Sequence, residues 1–269
     1  MTPGLDIRER ALDVWGGRLK MRVKTVGQGP PLVYVHAASG LAFDPFLVEL
    51  STRYTIYAPE MPGTSAGDPN AIHQVDNLSD LVLIYEETIS KLDLRAPVVF
   101  GASFGGMLAA ELASYFPTLF SKVVLCAPLG LWRPDLPIAN WMTIPPSELP
   151  ALLFRDPGCA AAKAMFTPPS DPAVAVNLIA GMVWARGCTG KFAWPIPEKG
   201  LRTRLHRVTA PTLIVWGAED ALIPVGYAKE FGDAIRGSRV EIVRNCGHIP
   251  QAEQLEATLV LVRRFVESG

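Results

Sequence analysis

Apolar residues in the first sixty positions fall in short runs rather than at helical spacing: Leu12 to Trp15, Leu19 to Val26, Pro31 to His36 and Tyr54 to Ala58. Short apolar runs bounded by turn residues predict strands, and the Gly16-Gly17 pair between the first two predicts a hairpin turn. From Leu78 to Leu92 the period changes. Leu81, Ile84, Tyr85 and Ile89 recur at three- and four-residue spacing, which predicts an amphipathic helix. The rhythm then alternates: a strand at Pro97 to Phe100, a helix at Phe104 to Tyr115, and a strand at Val123 to Cys126. After a long interruption it resumes with a strand at Thr212 to Trp216, a helix at Val225 to Ile235, a strand at Arg239 to Arg244 and a helix at Gln254 to Val266. Strands alternating with helices predict an α/β fold whose sheet is mostly parallel and covered on both faces.

The interruption spans residues 129–206. Between Pro128 and Pro197 lie half of the chain's 24 prolines and four of its six tryptophans, with no strand-like run. Helices are expected at Ser147 to Phe154 and at Pro172 to Arg186, where Ser170 or Asp171 can cap and Pro172 suits a first helical turn. The segment therefore reads as a helical cap inserted into a core formed by residues 1–128 and 207–269.

Composition narrows the function by exclusion. Charged residues make up 19% of the 269 positions and balance to a net charge of -1, so there is no electrostatic footprint for nucleic acid or an anionic membrane. The first fifteen residues mix both charge signs and lack an apolar core, unlike a secretory signal. No uninterrupted run of 18 apolar residues occurs, so no membrane span or membrane partner is expected. Cys126, Cys159, Cys188 and Cys246 are widely spaced without a C-x-x-C pair, the usage of reduced thiols in a cytoplasmic protein. The expected ligand is a small molecule without strong charge. A homodimer is left open.

Two stretches match G-x-S-x-G: GTSAG at 63–67 and GASFG at 101–105. At average residue usage such a match arises by chance roughly once in ten chains of this length, so context must separate them. Ser103 stands between the strand Val98 to Phe100 and a good helix, where a sharp turn lifts the hydroxyl above the sheet beside a helix N-terminus. Gly101 and Gly105 remove side chains that would crowd that turn. Ser65 comes after a strand, but Asp68-Pro69-Asn70 breaks the chain beyond it, so GTSAG reads as a loop. Asp220 lies just beyond the strand at 212–216 and His248 beyond the next. In an open parallel sheet the carboxyl ends of strands share one edge, so the three can converge.

In this order the chain resembles the α/β-hydrolase fold superfamily. The matching stretches are His36-Ala-Ala-Ser-Gly40, GASFGG at 101–106, Gly217 with Asp220 and Pro224, and Gly247-His248 with Pro250 and Glu253. The resemblance implies Ser103 as nucleophile, His248 as general base and Asp220 as its orienting acid, with Glu219 the competing carboxylate. It also implies an oxyanion hole made by the backbone N–H groups of Ala38 and Phe104, although the family usually has glycine at the position of Ala37. His36 is expected to set the shape of its loop.

Trp132, Trp141, Phe154, Met182 and Trp184, with Phe166 and Trp194, are candidates to wall an apolar substrate pocket. The expected activity is hydrolysis of a small or medium, largely apolar carboxylic ester, with no metal or cofactor. Alternatives on the same machinery are a C-C bond hydrolase of aromatic ring-fission products, a lactonase, an acyltransferase, or a non-catalytic ligand sensor. The C-C hydrolases typically carry Asn before the nucleophile and Trp after the histidine, where this chain has Ala102 and Ile249.

Overall fold

A computed structural model describes residues 5–65, 68–193 and 198–268. Among these, eight strands form one sheet: β1 (Arg8–Val14), β2 (Leu19–Val26), β3 (Pro31–Val35), β4 (Thr55–Pro59), β5 (Val98–Ala102), β6 (Lys122–Cys126), β7 (Thr212–Gly217) and β8 (Arg239–Val243). Their order across the sheet is β1-β2-β4-β3-β5-β6-β7-β8. The β1-β2 hairpin and the β2-β4 pair are antiparallel, and every pair from β4 through β3 to β8 is parallel. The order in which strands are added reverses at β3: β4 lies on one side of it and β5 on the other, although all three run parallel. Such a reversal leaves a crevice at the carboxyl ends of the strands.

Helices cover both faces. Beside α1 (Pro45–Ser51) and α9 (Leu255–Glu267), the residues Leu32, Tyr34, Phe100, Val124 and Val215 point into one apolar layer. The alternate strand residues Val33, Val35, Val99, Leu125 and Trp216 point the other way. They meet α2 (Leu78–Lys91), α3 (Phe104–Tyr115) and α7 (Gly226–Ala234). Burial of both faces is why β5, β6 and β7 read as continuous apolar runs instead of alternating ones. The short α8 (Pro250–Glu253) leads into α9.

Between β6 and β7 the described residues form no strand. They fold as α4 (Leu149–Leu153), α5 (Ala160–Phe166), α6 (Pro172–Ala193) and two single 3-10 turns. Both ends of this insertion are tied to one carboxylate on the core: Glu230 of α7 pairs with Arg133 at 3.0 Å and with Arg202 at 2.7 Å. The bidentate Arg204–Glu111 pair, at 2.9 and 2.6 Å, fixes the returning chain to α3.

Three expectations need adjustment. α1 and α5 were not signalled by periodicity, because seven residues are two turns and the alanines of α5 carry no apolar stripe. α1 nevertheless has a local signature: Asp44 caps it through the Leu47 N–H, and Pro45 occupies its first turn. α6 runs past Arg186 to Ala193. At 22 residues it is long and apolar enough by composition to cross a membrane, which a search for uninterrupted runs overlooks because Asn177 and Arg186 divide it.

Candidate active site

The turn from β5 into α3 is the most constrained backbone near the crevice. Ser103 has φ 54° and ψ -116°, a conformation that costs an L residue about 1–3 kcal/mol and persists only when surroundings impose it. They do so on three sides. The Ser103 N–H donates to the Cys126 carbonyl at 2.9 Å, and the Ser103 carbonyl accepts from Met107 and Leu129, both at 3.1 Å. A side chain at Gly101 would stand 2.3 Å from the Gly105 carbonyl oxygen, and one at Gly105 would stand 2.0 Å from that of Val35. Only glycine permits these approaches. The second one brings the start of α3 into backbone contact with the end of β3 and the loop that holds Ala38.

Around Ser103 the three residues singled out in sequence converge. Ser103 Oγ lies 2.9 Å from His248 Nε2, and His248 Nδ1 lies 2.8 Å from Asp220 Oδ2. His248 is 5% and Asp220 7% exposed, while Ser103 keeps partial access to solvent. Asp220 accepts four hydrogen bonds. Its Oδ1 takes the N–H groups of Leu222 and Ile223, and its Oδ2 takes the Trp216 indole N–H as well as His248. With Asp220 as acceptor, Nδ1 carries the proton and Nε2 presents a lone pair to the serine hydroxyl. The competing carboxylate is occupied elsewhere: Glu219 accepts the Cys246 N–H at 2.8 Å and so shapes the histidine loop without touching the ring.

The second serine is held differently. Ser65 Oγ donates to Glu60, which is bound at 2.7 Å by Lys24. His36 cannot serve Ser65, because its Nε2 accepts the Met61 N–H at 3.0 Å while Nδ1 faces the Ala37 carbonyl at 2.8 Å. Burial pushes the His36 pKa down and keeps the ring neutral. His36 thereby clips the Ala37-Ala38 loop to the loop after β4, a shape-setting role. Ala66 and Gly67 of the GTSAG match lie outside the described residues.

Ala38 and Phe104 sit on the two segments that Gly105 brings together. Among the described residues neither N–H donates to a protein acceptor. Two free N–H groups at a helix start and an adjoining loop suit a developing oxyanion. The Ala38 carbonyl points the other way and accepts Thr189 Oγ1 of α6 at 3.2 Å.

The aromatic candidates divide. Trp141 is buried and Trp132 half-buried, and both pack with the main apolar cluster. Phe154 is buried edge-on to Phe166, with centroids 6.3 Å apart. Its neighbour Leu153 accepts the His248 N–H at 2.9 Å, which places α4 directly on the histidine loop. Met182 is half-buried. Trp184 is 44% exposed, with its indole N–H on the Gly63 carbonyl at 2.9 Å, so Gly63 is a seat of α6. Trp194 lies outside the described residues.

Two residues were passed over in sequence. Glu253, noted only as a motif letter, accepts the N–H groups of Gly247, Asp156 and Arg155 at 2.6, 2.9 and 3.2 Å, joining the histidine loop to the insertion. Arg186 is half-buried, its Nε–H lacks an acceptor among the described residues, and burial lowers its pKa. The Glu253–Gly247 contact lies within the matching stretch, but the reach to Arg155 and Asp156, almost a hundred residues away, leaves no local sequence signal.

A family model described as the alpha/beta hydrolase family matches residues 32–259. The chain belongs to that family and is an enzyme of the hydrolase type. It is 25% identical over 248 residues to a pimeloyl (acyl-carrier protein) methyl ester esterase of Nitrosomonas europaea, covering 86% of this chain and 93% of the relative. It is 26% identical over 277 residues to a 2-hydroxy-6-oxononadienedioate/2-hydroxy-6-oxononatrienedioate hydrolase of Klebsiella pneumoniae, covering 95% and 93%. An esterase from Exiguobacterium antarcticum shares the fold with a TM-score of 0.79 at 19% identity, over 97% of this chain and 100% of that one.

Proposed function

We propose that the chain is a serine esterase acting on small or medium, largely apolar carboxylic esters, with residues 129–206 as a cap over the site. The observation that carries this is the unbroken line from Ser103 Oγ through His248 to Asp220, in contacts of 2.9 and 2.8 Å. His248 takes the hydroxyl proton as Ser103 Oγ bonds to the ester carbonyl carbon. The carbonyl oxygen becomes an oxyanion held by the Ala38 and Phe104 N–H groups. The C–O bond to the alcohol then breaks, and His248 returns the proton to the leaving oxygen. Water repeats the sequence on the acyl-enzyme, releasing the acid and restoring Ser103. Asp220 stabilises the imidazolium formed in each half. All four cysteines are free, which suits the cytoplasmic location we assign.

A second activity is favoured by one observation. Among the described residues the half-buried Arg186 guanidinium has no carboxylate partner, which is costly. Thr189, one turn further along α6, touches the Ala38 loop, so Arg186 is suited to a substrate that brings its own carboxylate, as the dioates named for the Klebsiella pneumoniae hydrolase do.

Turnover of p-nitrophenyl esters of increasing acyl length by the wild type and by Ser103→Ala tests the esterase. Activity in the first and its loss in the second are expected. No turnover at any chain length would remove the esterase and favour a ligand sensor, and release of acid only from dienone substrates would favour C-C cleavage.

A further inference from the structure

Helix α6 is divided in its environment. Its C-terminal half is buried, with Ala185, Cys188, Thr189 and Phe192 facing the core. Its N-terminal half is not: Val174, Val176, Leu178, Ile179 and Val183 are between 49% and 65% exposed. From Pro172 to Ala185 there is no charged residue. A helix that is apolar all round is normally enclosed by protein or by lipid, and this one stands in water for about 20 Å at 1.5 Å per residue.

The geometry points to a lipid surface as the occupant: we infer that residues 172–184 dock the enzyme on the neutral, zwitterionic face of a bilayer. At about 100° per residue, Val174, Val176, Ile179 and Trp184 fall at roughly 0°, 200°, 140° and 280° around the axis. A folded partner covers one side of a cylinder, whereas a fluid apolar phase covers all of them. Area argues the same way. The exposed apolar side chains present on the order of 500 Å², the upper end of what a monomer leaves uncovered, while a stable dimer needs roughly 800 Å² from each partner.

The missing charge sets the lipid class, since an anionic surface is recognised by lysine and arginine. Trp184 marks the depth of docking. Its ring is 44% exposed at the junction of the two halves while its N–H is held by Gly63, the amphipathic placement favoured at a lipid–water boundary. This departs from the expectation of no membrane partner. Docking there places the proposed cap of Ser103 against the lipid, so the substrates implied are esters dissolved in it. That last step rests on the esterase proposed above; the docking itself does not.

Co-sedimentation with phosphatidylcholine vesicles tests it, using the wild type, Ser103→Ala and the double variant Val176→Glu/Ile179→Glu. The wild type and Ser103→Ala should sediment equally, with no loss between about 0.1 and 1 M salt. The double variant should bind roughly tenfold or more weakly, yet keep its turnover of a water-soluble short-chain ester and its melting temperature. Both substituted side chains are more than half exposed, so the fold tolerates the change. Absence of wild-type binding overturns the inference, as does a concentration-dependent wild-type dimer that the double variant abolishes, which would make a second copy the occupant. Because Ser103→Ala is measured for binding alone, failure of the esterase leaves the docking result intact.

Discussion

Replacing Asp220 by Asn isolates the role of one oxygen. Asp220 Oδ1 accepts from Leu222 and Ile223 at 2.9 Å each, and Oδ2 accepts from Trp216 Nε1 at 3.0 Å and His248 Nδ1 at 2.8 Å. In Asn the single oxygen goes where two backbone donors demand it, because the flipped amide would face both with its own N–H groups. The amide nitrogen then faces Trp216 and His248. His248 Nδ1 must accept, so the ring proton moves to Nε2 and points at Ser103 Oγ, which can no longer lose its proton to the ring. A histidine trapped in the wrong tautomer lowers kcat by roughly 10³ to 10⁴, or about 4–5.5 kcal/mol of barrier.

The Trp216 indole N–H is shared between Asp220 and the Ile223 carbonyl, each at 3.0 Å, so the variant keeps one acceptor for it and should lose only about 1 kcal/mol of stability, roughly 2–4 °C in Tm at this chain length. Steady-state hydrolysis of p-nitrophenyl acetate beside thermal unfolding separates the two effects, and Glu219→Gln serves as a control expected to stay within about fivefold of wild type. A folded Asp220→Asn enzyme with kcat within tenfold of wild type would refute the tautomer argument.

The same contacts set the outcomes of other substitutions. Ser65→Ala should keep most esterase activity, since Ser65 is bonded to Glu60 and has no imidazole; a loss approaching that of Ser103→Ala in the same assay would reverse the assignment of the two motifs. Glu253→Ala removes the acceptor for three backbone N–H groups and should cost about 2 kcal/mol in urea unfolding with a several-fold fall in kcat, whereas Glu253→Gln should retain much of both. Burial raises the Asp44 pKa from 3.8 to about 6, so its contribution is fully present below the unfolded value and lost as pH rises through about 6. That rise is worth about 3 kcal/mol without screening and about 1 kcal/mol for a half-buried group. Asp44→Asn keeps an oxygen for the Leu47 N–H and should therefore gain about 1 kcal/mol at pH 8 and almost nothing at pH 4, read from Tm at both.

Strand and helix positions of the core were legible because burial on two faces writes itself as continuous apolar runs, and the ends of β5, β6 and β7 differ from expectation by at most two residues. Ser103 was separable from Ser65 by the segment C-terminal to each serine, although the loop expected beyond Ser65 folds from Pro69 to Gln74 as a 3-10 helix, where Pro69 suits a first helical turn, while an α-helix of 12 residues starts directly after Ser103. The sequence pattern could not indicate that Glu219 and Asp220 face different partners, since that depends on Cys246 lying across the loop. Nor could it show which tryptophans look inward. Trp141 and Trp184 have similar apolar neighbours in sequence, yet one is buried in the main apolar cluster and the other half in water, because α6 packs by its C-terminal half only and Trp184 stands where that half begins. Glu253 was visible as a letter, but its three N–H partners come from two segments that meet only in the fold.

The most direct test of the central claim is labelling with a fluorophosphonate and then mass spectrometry of the adducted peptide. A single adduct on Ser103, lost in Ser103→Ala and sharply slowed in Asp220→Asn, is the expected result. An adduct on Ser65, or no adduct on a folded, monodisperse protein, would contradict it.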